Sequence, residues 1–290
     1  MRWIASAAAF ALAVLACAAG SLPASAQPRP APTPPVQSGP IPQNPQVEIA
    51  YGQPSNAAFR PIYERLRQRQ VLEELRQFLA PLKLPRKLTV RTDQCGASYR
   101  PYQPGGMVTI CYEYVAQLEQ IATKAATPNG IPKETMIVGA FIQTLLHETA
   151  RAVFDILELP VWGREDDAAD RLAGFLMLQF GKDVARQTII GTAWFFEASD
   201  RTWTGSDFAS VASPESQRYF NFLCIAYGGD ENTFKFLVDN NILPARRAAR
   251  CGGEYAKLRF AFLRALMPYV DTDIMKRVQS MEILKAGDVR

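Results

Sequence analysis

Leu145-Leu146-His147-Glu148-Thr149-Ala150-Arg151, followed by Gly163-Arg164-Glu165-Asp166-Asp167-Ala168-Ala169-Asp170, is the stretch on which the reading of this chain turns. Apolar residues surround His147-Glu148 at helical spacing: Met136, Ile137, Ala140, Phe141 and Leu145 before, Ala152, Val153 and Ile156 after. The pattern predicts a helix buried on most sides, from near Pro132 to about Leu157. Pro160 and Gly163 end it. A further helix is predicted from Glu165 to about Phe180, its acidic start suited to the positive end of the helix dipole. On a helix, His-Glu-x-x-His turns two imidazoles toward one metal, because four residues are about one turn, and leaves the Glu as general base. Here the fifth position is Arg151, and His147 is the only histidine in 290 residues.

Upstream, Ile62, Leu66, Leu72, Leu75, Phe78 and Leu79 recur at helical spacing over residues 58–81, and Leu84-Pro85 breaks the pattern. Residues 87–91 alternate as a strand, Arg100–Gly106 reads as a turn, and residues 107–111 as a second strand. A helix is predicted from Tyr112 to about Lys124, broken by Pro128-Asn129-Gly130. The last third is mostly helical: Gln217–Tyr227 up to Gly228-Gly229, then Asn232–Val238, Ala245–Arg250 and Glu254–Leu266. Tyr219-Phe220 and Phe222 read as core. Trp162 either packs or lines the cleft. There is no internal repeat. The predicted class is α+β, helix-rich, with a small β-hairpin or sheet packed on a central active-site helix.

The first 26 residues read as a secretory signal peptide: a basic start at Arg2, an apolar run over residues 3–19, and Ala24-Ser25-Ala26 as a small-x-small cleavage signal. The run is short for a spanning helix, so no transmembrane segment is expected after cleavage. Lipid attachment at Cys17 is the alternative. Residues 27–45, QPRPAPTPPVQSGPIPQNP, read as an extended Pro-rich tether, and residues 46–290 as the folded body. A periplasmic or secreted location follows. Without Cys17, four cysteines remain, an even number suited to disulfides in an exported chain. Local pairing, Cys95–Cys111 and Cys224–Cys251, is expected, each loop worth about 3–4 kcal/mol in the chain-entropy model; free buried thiols are the alternative. No Cys-x-x-Cys spacing suggests a zinc site. A net charge of +4 gives little reason to expect a polyanion partner, and Arg246-Arg247 with Arg250 reads as a solvated helix face, so no nucleic acid is expected.

Further fragments occur in one order with this stretch: Cys95-Gly96, Ile110-Cys111-Tyr112-Glu113, Leu159-Pro160, Gln217-Arg218, Tyr227-Gly228, Leu243-Pro244, Arg247-Ala248 and Cys251-Gly252-Gly253-Glu254-Tyr255. Together they resemble DUF4344, a bacterial family of metallopeptidase-like proteins with a glutamate-zincin pattern, over about residues 46–270. The resemblance implies His147 as first zinc ligand and Glu148 as the base that takes a proton from metal-bound water. It puts Asp166 where a Glu would be the third protein ligand. It makes Asp170 the acceptor that orients His147 through its other ring nitrogen.

The second ligand position holds Arg151, whose guanidinium has no acceptor and stays protonated. A downstream oxyanion-stabilising histidine is absent too; Asp207-Phe208-Ala209-Ser210 is where it would stand. The expectation is a catalytically degenerate homologue that acts as an exported binding or scaffold module for a peptide or protein, without cofactor. In it, Arg151 should pair with Glu148, Asp166 or Asp170. The alternative is a working zinc peptidase with an unusual ligand set.

Overall fold

A computed structural model of the chain describes residues 41–96, 101–125, 131–200, 204, 209 and 212–279. The signal peptide read over residues 1–26, and the Pro-rich segment as far as residue 40, lie outside them. Asn44, read as part of that segment, is buried, and its amide donates to the carbonyls of Leu79 and Leu82.

The sheet has four strands in the order β1-β2-β4-β3: β1 (Val47–Tyr51), β2 (Leu88–Asp93), β3 (Tyr102–Gln103) and β4 (Met107–Cys111). Of the two forms expected, hairpin or small sheet, the molecule has the sheet. The two strands read from the sequence, β2 and β4, run parallel, with Asp93 opposite Cys111. Strand β3 was hidden in the stretch read as a turn. It pairs antiparallel with β4 through a bend at Gly105 and Gly106, whose φ values of 101° and 84° suit glycine. Strand β1, parallel to β2, was not read at all.

Helices α1 (Arg60–Gln68) and α2 (Val71–Phe78) link β1 to β2. The sequence reading made them one helix. Gln70, at φ 51°, breaks it in two. Helix α3 (Tyr112–Lys124) follows β4 directly. Helix α4 (Lys133–Ile156) is the centre of the fold, about 36 Å long at 1.5 Å per residue. It packs on the sheet and on helices α3, α5 (Glu165–Met177) and α6 (Lys182–Ser199). Its C-terminus closes as a Schellman turn: Glu158 takes the left-handed position at φ 51°, and the Leu159 amide donates to the Phe154 carbonyl at 2.9 Å. Helix α6 escaped the sequence reading, although Val184, Ala185, Ile189, Ala193 and Phe196 form its buried stripe.

Helices α7 (Glu215–Gly229), α8 (Glu231–Phe234), α9 (Phe236–Asp239), α10 (Ala245–Leu266) and α11 (Thr272–Gln279) complete the molecule. The two segments read over Ala245–Arg250 and Glu254–Leu266 are one helix, running unbroken through Gly252-Gly253. Both expected disulfides are present, Cys95–Cys111 and Cys224–Cys251, with Cα separations of 5.5 and 5.0 Å. The first ties the end of the sheet to the stretch after β2. The second ties α7 to α10. No helix among the described residues is long and apolar enough to cross a membrane.

Helices α4 and α6 touch backbone to backbone. A Cβ on Gly191 would meet the Thr135 carbonyl oxygen, and one on Gly139 would lie 2.5 Å from the Thr188 carbonyl oxygen. Gly191→Ala is therefore expected to destabilise the fold by about 1–3 kcal/mol or more. Gly253→Ala meets nothing within 4 Å and should stabilise by roughly 0.5–1 kcal/mol, since Ala suits a helix interior better than Gly. Urea unfolding of the two variants against wild type checks the opposite signs.

Candidate functional site

Gln143, His147 and Arg151 recur every four residues along α4, so they form one stripe. Asp166 and Asp170, four apart on α5, form the facing one. His147 Nδ1 lies 2.7 Å from Asp170 Oδ1, and its Nε2 lies 3.4 Å from Asp166 Oδ1 and 4.0 Å from Glu148 Oε1. The sequence-derived set of His147, Glu148, Asp166, Asp170 and Arg151 is thus brought together in space.

Arg151 turns into the cluster. Its Nη1 lies 3.5 Å from Glu148 Oε2 and its Nε 3.6 Å from Asp166 Oδ1. Its best hydrogen bond, 2.9 Å from Nε, goes to Glu165, a partner the sequence reading did not name. It makes no pair with Asp170. Tyr102 of β3 lies under the guanidinium, its ring centroid 5.3 Å away, while its hydroxyl donates to Asp155 at 2.6 Å.

Asp170 has other partners. Arg218 of α7 grips it with two hydrogen bonds, Nε to Oδ2 at 2.7 Å and Nη2 to Oδ1 at 2.9 Å, and stacks on Phe196 at 4.2 Å. Gln143 Nε2 adds a third donor at 2.8 Å. Thr144 Oγ1 donates to the Gln143 side-chain Oε1 and shares a hydrogen bond with Tyr114, which holds the amide in that orientation. The reading of the sequence missed Gln143 and the role of Arg218. The four-residue step from Gln143 to His147 was the available signal for the first, and the fragment Gln217-Arg218 for the second. Asp207, Phe208 and Ser210, where a downstream histidine was sought, lie outside the described residues.

The electrostatics follow from burial and pairing. Burial alone would push the His147 imidazole down, but hydrogen bonds to Asp166 and Asp170 outweigh it and raise the pKa to about 9. His147 is therefore an imidazolium at neutral pH, with Nδ1 donating to Asp170 and Nε2 facing Asp166 at 3.4 Å. Burial would raise Asp170, but Arg218 and His147 hold it at about 2. Glu148 goes the other way. It is 6% exposed, its Oε2 has no hydrogen-bond partner, and burial raises its pKa.

These residues do not fit zinc. Such a site needs three protein donors and an open water position. Here His147 Nε2 and Asp166 are the facing donors, and one helical turn on from His147 stands a guanidinium with no lone pair, 3.6 Å from Asp166. A cation 3.6 Å from Asp166 also repels a second one. Among the described residues, the one group of three close donors is Cys95, Cys111 and Glu113, and its two sulfurs are spent in a disulfide.

A pH dependence follows. A pKa of about 9 in the fold, above the unfolded value of about 6.5, means the His147 contribution is fully present below about pH 6.5. It is lost as pH rises through 9. The loss should be on the order of 3 kcal/mol. Urea titrations from pH 6 to 10 should show wild type weakening across this window, with His147→Gln losing most of that slope. Asp170 acts at the other end: its contribution holds above about pH 3.8 and is lost as pH falls toward 2.

The comparisons agree with the resemblance read from the fragments. The model of the family DUF4344, described as "Putative metallopeptidase", matches residues 51–266. No curated protein and no solved structure matches the chain. Residues 51–266 contain the whole His147 cluster, both disulfides and every helix from α1 to α10, and the chain belongs to the DUF4344 family.

Proposed function

We propose that this chain is an exported member of the family whose metal centre is degenerate, and that it works as a binding or scaffold module for a peptide or protein. The observation that carries the reading is the Arg151 guanidinium, held 3.5 Å from Glu148 and 3.6 Å from Asp166, where a second histidine would have put a lone pair. The guanidinium supplies part of the positive charge a metal would have given these acids. The His147 imidazolium and Arg218 supply the rest. The cluster then has three cations against four carboxylates, Glu148, Glu165, Asp166 and Asp170, without any ion.

Export rests on the basic and apolar leader over residues 1–26 and on the two disulfides, which belong to oxidising compartments. The Pro-rich tether ends before Asn44, which is already held to Leu79 and Leu82 of the working body. The competing reading, an active zinc peptidase, would use His147 and Asp166 as ligands and Glu148 as base. Its support is the 3.4 Å approach of His147 to Asp166.

Reversal separates the two. Arg151→His restores two imidazoles one helical turn apart, with Asp166 as third donor. The variant should gain a zinc-dependent rise in Tm that EDTA reverses, and wild type should show none. A Tm gain of about 4–8 °C would correspond to about 2 kcal/mol of linkage for a chain this size. Wild type shifting as much as Arg151→His would contradict the degenerate reading and favour the enzyme.

A further inference from the structure

Trp162 neither packs nor lines the His147 cluster: it is 93% exposed. It stands on the loop between α4 and α5, whose course is set by the Schellman turn at Glu158 and by Gly163 at φ 100°. The indole forms the rim of a groove of about 650 Å³ between this loop and α10. The floor is apolar, with Phe154, Val161, Ile225, Leu258 and Phe262. The wall is covalently pinned, since Cys224–Cys251 joins α10 to α7 beside it.

Charge borders this groove unevenly. Arg171 of α5 and Arg247 and Lys257 of α10 line it, against one acid, Glu254. Arg247 takes that acid with two hydrogen bonds of 2.8 Å. Arg171 and Lys257 are exposed and have no carboxylate partner among the described residues. A single exposed apolar side chain is ordinary. A tryptophan beside an apolar trough edged by two uncompensated cations has the composition of a recognition site: an aromatic anchor, an apolar floor and a charged rim.

We propose that this groove binds a segment of a partner protein in which apolar or aromatic side chains alternate with Asp or Glu. The apolar side chains would cover the floor and stack on Trp162, and the carboxylates would meet Arg171 and Lys257, which steers approach and fixes orientation. The Pro-rich segment of the chain itself is a poor match, because residues 27–45 carry Arg29 and no carboxylate. The inference deepens the binding-module reading by naming a class of partner. It uses none of the residues of the His147 cluster, so zinc binding by wild type would remove that reading and leave the groove standing.

Peptides of about twelve random residues displayed on phage, panned on the purified protein, test it. Enriched sequences are then titrated by fluorescence anisotropy against wild type, Trp162→Ala and the double variant Arg171→Glu/Lys257→Glu. All three side chains are exposed, so both variants should keep the wild-type Tm. Enriched peptides should combine Asp or Glu with apolar or aromatic residues. Their affinity should fall about tenfold or more in Trp162→Ala and also in the charge reversal, and weaken as salt rises. Basic or proline-rich enriched sequences, acidic peptides that bind Trp162→Ala as well as wild type, or no enrichment at all would overturn the proposal.

Discussion

Asp170 is a buried carboxylate at the meeting point of three helices, and the geometry of the whole cluster depends on its being fully paired. A lone carboxylate at that depth would protonate rather than pay the cost of losing water. Here it accepts from Gln143 and His147 of α4 and from both sides of the Arg218 fork of α7. Removing one partner leaves the others as uncompensated charge, which in buried pairs costs about 3–5 kcal/mol. The contact fixes α5 against α4 and α7 in one register. Everything else in the cluster, including the place of Arg151 beside Glu148 and Asp166, follows from that register.

The same constraint governs how the surrounding charges are balanced. Asp166 and Asp170 of α5 facing Glu148 of α4 would repel one another strongly at low dielectric. The imidazolium of His147 answers Asp166 and Asp170, and Arg151 answers Glu148, Glu165 and Asp166. Glu148 is the least well served. Its buried Oε2 lacks a hydrogen bond, and the group leans toward its neutral form. That cost is left uncompensated within the cluster.

Legibility in the sequence followed local physics. The limits of α3 and α4, the two disulfides and the placing of His147, Glu148 and Arg151 came from helical periodicity, cysteine counting and a motif with fixed spacing, while Asp166 and Asp170 came from the family resemblance. What escaped depended on tertiary context. Helix α1–α2 was read as continuous because nothing in Arg69-Gln70 announces a left-handed residue; glycine usually does. Gly252-Gly253 argued for a break that packing of α10 overrides. Strand β3 is two residues long and exists only through its pairing with β4. Arg218 is 48 residues from Asp170, and Glu165 looked like one more acid at a helix start. Such partners become visible once the helices are placed.

The central claim is that Arg151 stands where a metal ligand would, so that this centre carries its own cations. Zinc content of the protein, purified without added metal or chelator and quantified per chain, tests it most directly. The account requires far less than one zinc per chain, with no drop in Tm after EDTA treatment. A content near one equivalent, lost together with stability on chelation, would contradict it.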